Sequence, residues 1–224
     1  MPEGRLFIGT KMYSSWSLRG WLAVRLAGLA VEEVVIPLAG GATAAVKAAT
    51  PAGLVPYLEH RGARVWESLA IVEYCAEHHP AIWPAEPAAR AAARSIAAEM
   101  HAGFRGLRMA MPMTILNRFP GQGATPEALA DIARIETIWA DALLESGGPF
   151  LFGDTLTGAD IMFAPVACRF QTWQPALSAT ARDYVAALLA HPLLQRWYAE
   201  AAAEPAAWRL PKYESADLGK VVAS

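Results

Sequence analysis

Short apolar runs and amphipathic stretches alternate through the first third of the chain, and beyond it the pattern is helical almost throughout. Leu6-Phe7-Ile8, inside residues 5–10, predicts a short buried strand. Over residues 15–27 apolar side chains return at three- and four-residue spacing, which predicts an amphipathic helix with Arg19 and Arg25 on another face and Gly28 at its C-terminal cap. The β-branched run 31–36 is a second strand, stopped by Pro37. Residues 39–49 are alanine-rich and predict a weak short helix. Residues 51–59 form a proline-marked approach to a third strand, and Arg61-Gly62 turns it into a fourth over 64–66. A helix over 68–79, ended by Pro80, closes this unit.

Three prolines between Pro80 and Pro87 mark a linker. After it the periodicity predicts one long helix over 88–118, bent near Pro112, then helices over 126–146, 157–170, 181–189 and 192–203. The tail 205–224 has no period, and its end is expected to be disordered. The fold class is therefore α/β followed by all-α, with domains at 1–80 and 88–224 and a linker at 81–87.

The 224 residues suffice to bury a core, and the 54% hydrophobic content, raised by alanine, fits a helix-rich body. A net charge of −2 with no basic stripe argues against nucleic acid as a partner. The N-terminus lacks the charged segment and apolar core of a signal peptide, and no stretch approaches the ~20 apolar residues of a membrane span. Cys75 and Cys168 are far apart and form no metal or redox motif, so no metal is expected. The chain reads as a soluble cytoplasmic protein.

Candidate chemistry gathers where the first strand meets the first helix. Thr10-Lys11-Met12-Tyr13-Ser14-Ser15-Trp16-Ser17-Leu18-Arg19 brings three serine hydroxyls into a first helical turn, where unpaired N–H groups and the dipole favour an anion. Three further motifs accompany it: Val55-Pro56 before the third strand, Glu67-Ser68-Leu69-Ala70 at the third helix, and Gly153-Asp154-Thr155-Leu156-Thr157-Gly158-Ala159-Asp160 in the helical half. In this order and spacing the set resembles the cytosolic glutathione S-transferases, in particular the serine-type members with a zeta-like active-site turn, and the likeness spans nearly the whole chain.

That resemblance implies a thioredoxin-like domain followed by a helical bundle, glutathione as co-substrate, and a homodimer. It places Ser14 against the glutathione sulfur as the catalytic hydroxyl, with Ser15 or Ser17 capping the helix. Tyr13 and Ser15 are the neighbours that compete for the sulfur. Val55 pairs by its backbone with the cysteinyl residue, and Pro56 is expected to be cis. Glu67 and Ser68 meet the ammonium and carboxylate of the γ-glutamyl end. Thr157 and Asp160 read as a structural capping box. Phe104, Leu107, Arg108 and Met111 share a helical face and are the candidate wall for a second, apolar electrophile.

The implied activity is transfer of the glutathione thiolate to a small electrophile, a detoxifying reaction. A glutathione-dependent isomerase or dehalogenase, or a non-catalytic binding protein on the same fold, is the alternative. The chain departs from the zeta-type isomerases at three places. Trp16 stands where they have a cysteine, Thr172 falls where they carry an arginine (Arg169 lies a turn earlier), and Leu54 replaces a polar residue.

Overall fold

The computed structural model describes residues 1–215; the expected disorder at the chain's end falls on 216–224, outside the described residues. Four strands, β1 (Gly4–Gly9), β2 (Glu32–Ile36), β3 (Tyr57–His60) and β4 (Ala63–Trp66), form a sheet of order β2-β1-β3-β4. β1 pairs parallel with β2 and antiparallel with β3, and β3 pairs antiparallel with β4. Leu6, Ile8 and Leu58 project to one core, which α1 (Ser15–Leu26) and α3 (Ser68–His78) cover with Leu18, Leu22, Ile71 and Val72. On the other face Phe7, Ile36 and Tyr57 pack with Val46 of the short helix α2 (Ala44–Ala49). This is a thioredoxin-like arrangement, and it leaves the β1–α1 turn and the segment before β3 side by side.

The remaining helices are α4 (Pro87–Ala102), α5 (Arg105–Ala110), α6 (Pro126–Ser146), α7 (Gly158–Trp173), α8 (Ala179–Ala190) and α9 (Pro192–Ala202). α7 is buried along nearly its whole length, as a helix apolar on every side must be, and it forms the axis of this half. At its start Asp160 is wholly buried. Its Oδ2 accepts the N–H and the hydroxyl of Thr157 at 2.8 and 2.7 Å, and its Oδ1 accepts from Leu151 N–H and Tyr184 O–H. The capping box is present.

Two expectations need correction. The long helix over 88–118 is two helices, and the break lies at Gly103-Phe104 instead of Pro112. Phe104 adopts a left-handed conformation (φ 60°), and Gly106 comes so close to the Glu127 backbone that a Cβ there would stand 2.6 Å from its carbonyl carbon. Tertiary contact with α6, reinforced by Leu107 N–H donating to Asp131, sets the break. Arg19, expected on a polar face of α1, is wholly buried between α1 and α7, with Nε donating to the Met162 carbonyl.

Among the described residues no helix is long and apolar enough to cross a membrane.

Candidate active site

The turn between β1 and α1 is wound tightly, because the Thr10 carbonyl accepts both the Tyr13 and the Ser14 N–H. Its backbone is held from the helical half. The Glu204 carboxylate, just beyond α9, accepts the Lys11 N–H at 2.6 Å and the Met12 N–H at 3.3 Å. Trp197 Nε1 donates to the Lys11 carbonyl, and the Ile115 N–H donates to that of Met12. The Lys11 ammonium lies buried between Glu33 and Glu200, beside the rings of Trp21 and Trp197.

Ser14 ends the turn and faces a cavity of about 750 Å³ lined also by Tyr13, Ser15, Trp16, Leu38, Lys47 and Val55. It is itself the N-cap of α1, since its Oγ accepts the Ser17 N–H at 3.3 Å. This corrects the assignment of capping to Ser15 or Ser17: residue 14 is the last with extended backbone before the helix, so only its side chain can reach back to the third helical N–H. Ser17 instead turns inward, accepting the Gly9 N–H at 2.9 Å and lying 2.7 Å from Ser14 Oγ.

Tyr13 is engaged elsewhere. Its hydroxyl accepts the Leu210 N–H and donates to Glu214, and burial together with that carboxylate pushes its pKa up to about 12. A phenol held so is a poor partner for a sulfur anion. Cys75 and Cys168 are buried, with thiols pushed up by burial to about 12 and about 11, and neither is in the turn.

A second cavity, about 230 Å³, continues past Val55 and is lined by Trp16, Leu54, Pro56, Trp66, Glu67 and Ser68. The Val55-Pro56 bond is cis. Neither the N–H nor the C=O of Val55 takes part in any described hydrogen bond, so both are available to an extended ligand. Pro56 sits directly under α1, where a Cβ on Gly20 would come within 2.8 Å of its ring. Glu67 holds a positive φ of 67° at the start of α3, and the Ser68 hydroxyl is buried without a protein partner. Glu67 carries its carboxylate at the surface, 3.8 Å from His101. Ser14 lines the larger cavity and Glu67 and Ser68 the smaller, and the two adjoin through the shared residues Trp16, Ala52, Leu54 and Val55.

The expected electrophile wall is not a single surface. Leu107 and Met111 are completely buried and Phe104 nearly so, because α5 packs its apolar face against α6. They are core residues. Arg108 does reach the turn: its guanidinium lies 4.7 Å from the Trp16 ring, anchored on the Met100 and Gly103 carbonyls.

Two further arginines join it, and the pattern of the sequence did not reveal the group. Arg19 stacks 4.6 Å from the Trp16 ring, and Arg169 donates to Ser15 Oγ at 3.3 Å while its Nε binds the Met111 carbonyl. Among the described residues none of the three forms an ion pair, and nitrogens of Arg19 and Arg108 have no hydrogen-bond partner. Burial, and then the charge of Arg108, push Arg169 down to about 9, still a cation at neutral pH. Asp131 partly offsets Arg108 from a distance. Lys47, also missed, is a cationic residue lining the larger cavity. Among the described residues no cluster of His, Cys, Asp and Glu has a metal-binding arrangement.

A thioredoxin-like domain with a cis-proline beside a serine-capped turn, followed by a helical bundle, defines the glutathione S-transferase architecture. The family's N-terminal domain model matches residues 13–78 and its C-terminal domain model residues 122–200. The chain belongs to the glutathione S-transferase family. It is 30% identical over 158 residues to a probable maleylacetoacetate isomerase of Caenorhabditis elegans, covering 68% of this chain and 72% of that one. It is 29% identical over 191 residues to the maleylacetoacetate isomerase of Rhizobium meliloti, covering 76% and 85%. Among solved structures, the maleylacetoacetate isomerase of Anaeromyxobacter dehalogenans superposes with a TM-score of 0.66 at 26% identity, over 93% of this chain and 97% of that one. A glutathione transferase homologue from Burkholderia GL BGR1, with bound glutathione, gives 0.69 at 23% identity over 91% and 100%.

Proposed function

We propose that the protein binds glutathione along the two adjoining cavities, from Ser14 to Ser68, and uses it as a thiolate nucleophile. The observation that carries this is the lining they share at Trp16, Ala52, Leu54 and Val55. One hydroxyl at a helix N-terminus lies at one end, an unpaired extended backbone at Val55 in the middle, and a carboxylate with an orphaned hydroxyl at Glu67-Ser68 at the other end. Each matches one part of a peptide bearing a thiol, an amide backbone, and an ammonium with its carboxylate. Lys47 supplies a cation for the remaining, glycyl carboxylate. The thiol, with an ordinary pKa of ~8.5, is held partly ionised by Ser14 and the N-terminus of α1; two units of lowering correspond to about 2.7 kcal/mol. The fold halves act as a glutathione domain (1–80) and an electrophile domain (88–224) joined by 81–87, paired as a homodimer.

The electrophile that best fits is anionic, not apolar. Arg108 and Arg169, backed by Arg19, set positive charge behind Ser15 and Trp16, which line the larger cavity, with no carboxylate of their own, so a substrate carboxylate there would offset it. This favours isomerisation over permanent transfer, as do the relatives named maleylacetoacetate isomerase. The thiolate adds to one carbon of a cis double bond, and the electron pair moves onto the conjugated carbonyl. The new single bond rotates, and expulsion of the thiolate restores the double bond as trans, returning glutathione unchanged. Arg169 takes the place that Thr172 leaves without a cation.

The test is product analysis on maleylacetoacetate with substoichiometric glutathione. Complete conversion with no loss of free thiol supports isomerisation. Stoichiometric consumption of thiol into a conjugate supports plain transfer. No glutathione binding by calorimetry at millimolar concentration contradicts both.

A further inference from the structure

We propose that Ser17 is a positioning residue for the sulfur contact, donating its hydroxyl proton to Ser14 Oγ and so turning the Ser14 proton into the cavity; this rests on Ser14 being the sulfur's donor. Three buried groups, the Gly9 N–H and the Ser14 and Ser17 hydroxyls, meet here, and each of their hydrogens needs an acceptor. Ser17 is wholly buried, and its oxygen already accepts the Gly9 N–H at 2.9 Å from the end of β1. A serine hydroxyl has one proton to give and two lone pairs to fill. The other contact of that hydroxyl is Ser14 Oγ, 2.7 Å away.

Two directions are open across that contact. If Ser14 donates, the Ser17 proton has no acceptor among the described hydrogen bonds, and Ser14 has nothing left to give the cavity. If Ser17 donates, its proton is used and Ser14 Oγ accepts both this proton and the Ser17 N–H. The Ser14 proton is then the one group left over, on a side chain that lines the cavity. Only the second arrangement uses every proton, and it does so when an anion is present to accept the last. Each donation polarises the next bond, so the Gly9 N–H strengthens Ser17 as a donor and Ser17 strengthens Ser14. β1 thereby fixes the hydroxyl that faces the sulfur, through a residue that never touches it.

The experiment titrates the thiolate absorbance of glutathione bound to the full-length protein, in wild type and in Ser17→Ala, Ser17→Cys and Ser17→Thr. Cysteine nearly keeps the volume but is a weak donor, whereas threonine keeps the hydroxyl. The expected result is a bound-thiol pKa raised by about half a unit to one unit in the alanine and cysteine variants, which from a wild-type value about two units below ~8.5 means roughly 1.5-fold to threefold less thiolate at pH 7. Glutathione affinity changes little and threonine restores the wild-type value. A purely structural serine would lower the melting temperature and leave the thiol titration in place. A bound-thiol pKa unchanged in both folded alanine and cysteine variants overturns the relay while leaving Ser14 as donor. An unshifted thiol in the wild type overturns the Ser14 reading, and the relay with it.

Discussion

At Ser14 two demands meet in one hydroxyl, since it caps α1 and, in the proposed reading, also faces the glutathione sulfur. The two are separable by substitution. Alanine at an N-cap costs about 1 kcal/mol of stability, whereas glycine costs only a few tenths. Ser14→Ala and Ser14→Gly should therefore differ in denaturant midpoint yet raise the bound-thiol pKa equally. A thiol pKa that follows stability instead would make the serine a cap alone. Tyr13→Phe, by contrast, should leave the thiol titration unmoved and cost about 1 kcal/mol, because its hydroxyl serves Leu210 and Glu214. At this scale the serine turn was legible, because a strand, three hydroxyls and a helix are contiguous in the chain. The arginine group was not. The sequence put Arg108 on the candidate electrophile wall, Arg169 a turn before Thr172 and Arg19 on a separate face of α1, and only the packing of α1, α5 and α7 brings the three together at Ser15 and Trp16.

Elements hold this turn more firmly from the helical half than from the sheet. Glu204, at the end of α9, satisfies two amides of the turn, and burial pushes its carboxyl up against the effect of those same amides. Glu204→Ala should speed hydrogen exchange at Lys11 and Met12 and cost about 1–3 kcal/mol, the penalty for amides left unpaired. Uniform exchange across the protein would deny Glu204 this local role. Asp160 binds four donors at the start of α7. Asp160→Ala should cost about 3–5 kcal/mol in chemical denaturation without altering the glutathione thiol. The capping box was legible because Thr157 and Asp160 stand three residues apart. The break between α4 and α5 was not, since Gly103 and Gly106 sit in an otherwise helical pattern, and it is the close approach of Gly106 to the Glu127 backbone of α6 that separates the two helices.

Across the molecule, the charge cluster at Lys11 ties the sheet to α9. Burial works against the charges of Glu33 and Glu200, but hydrogen bonds from Lys11, with Arg25 and Trp21 for Glu33 and Arg196 for Glu200, outweigh it and hold both below 4.5. A carboxylate with a depressed folded-state pKa contributes stability that is full above the unfolded value and lost as pH falls through the folded one. Thermal melts should therefore show this contribution shrinking below about pH 4.5, and Lys11→Met should flatten that part of the profile. Asp160 and Glu204, both pushed up by burial, act in the opposite sense, and Asp160 lies outside the Lys11 cluster. The proposed homodimer predicts twice the chain mass in light scattering, and a monomeric mass would refute it. Apart from the α4–α5 break, the order of strands and helices was readable from periodicity and the prolines and glycines between elements, whereas the arginine group depends on contacts between halves that neither reports.

In the proposed reading the Ser14 turn holds glutathione as a thiolate. Ultraviolet titration of glutathione on the wild-type protein and on Ser14→Ala tests it directly. The bound-thiol pKa is expected about two units below the free value of ~8.5 in the wild type, returning most of the way in the variant. An identical titration in the two proteins would contradict it.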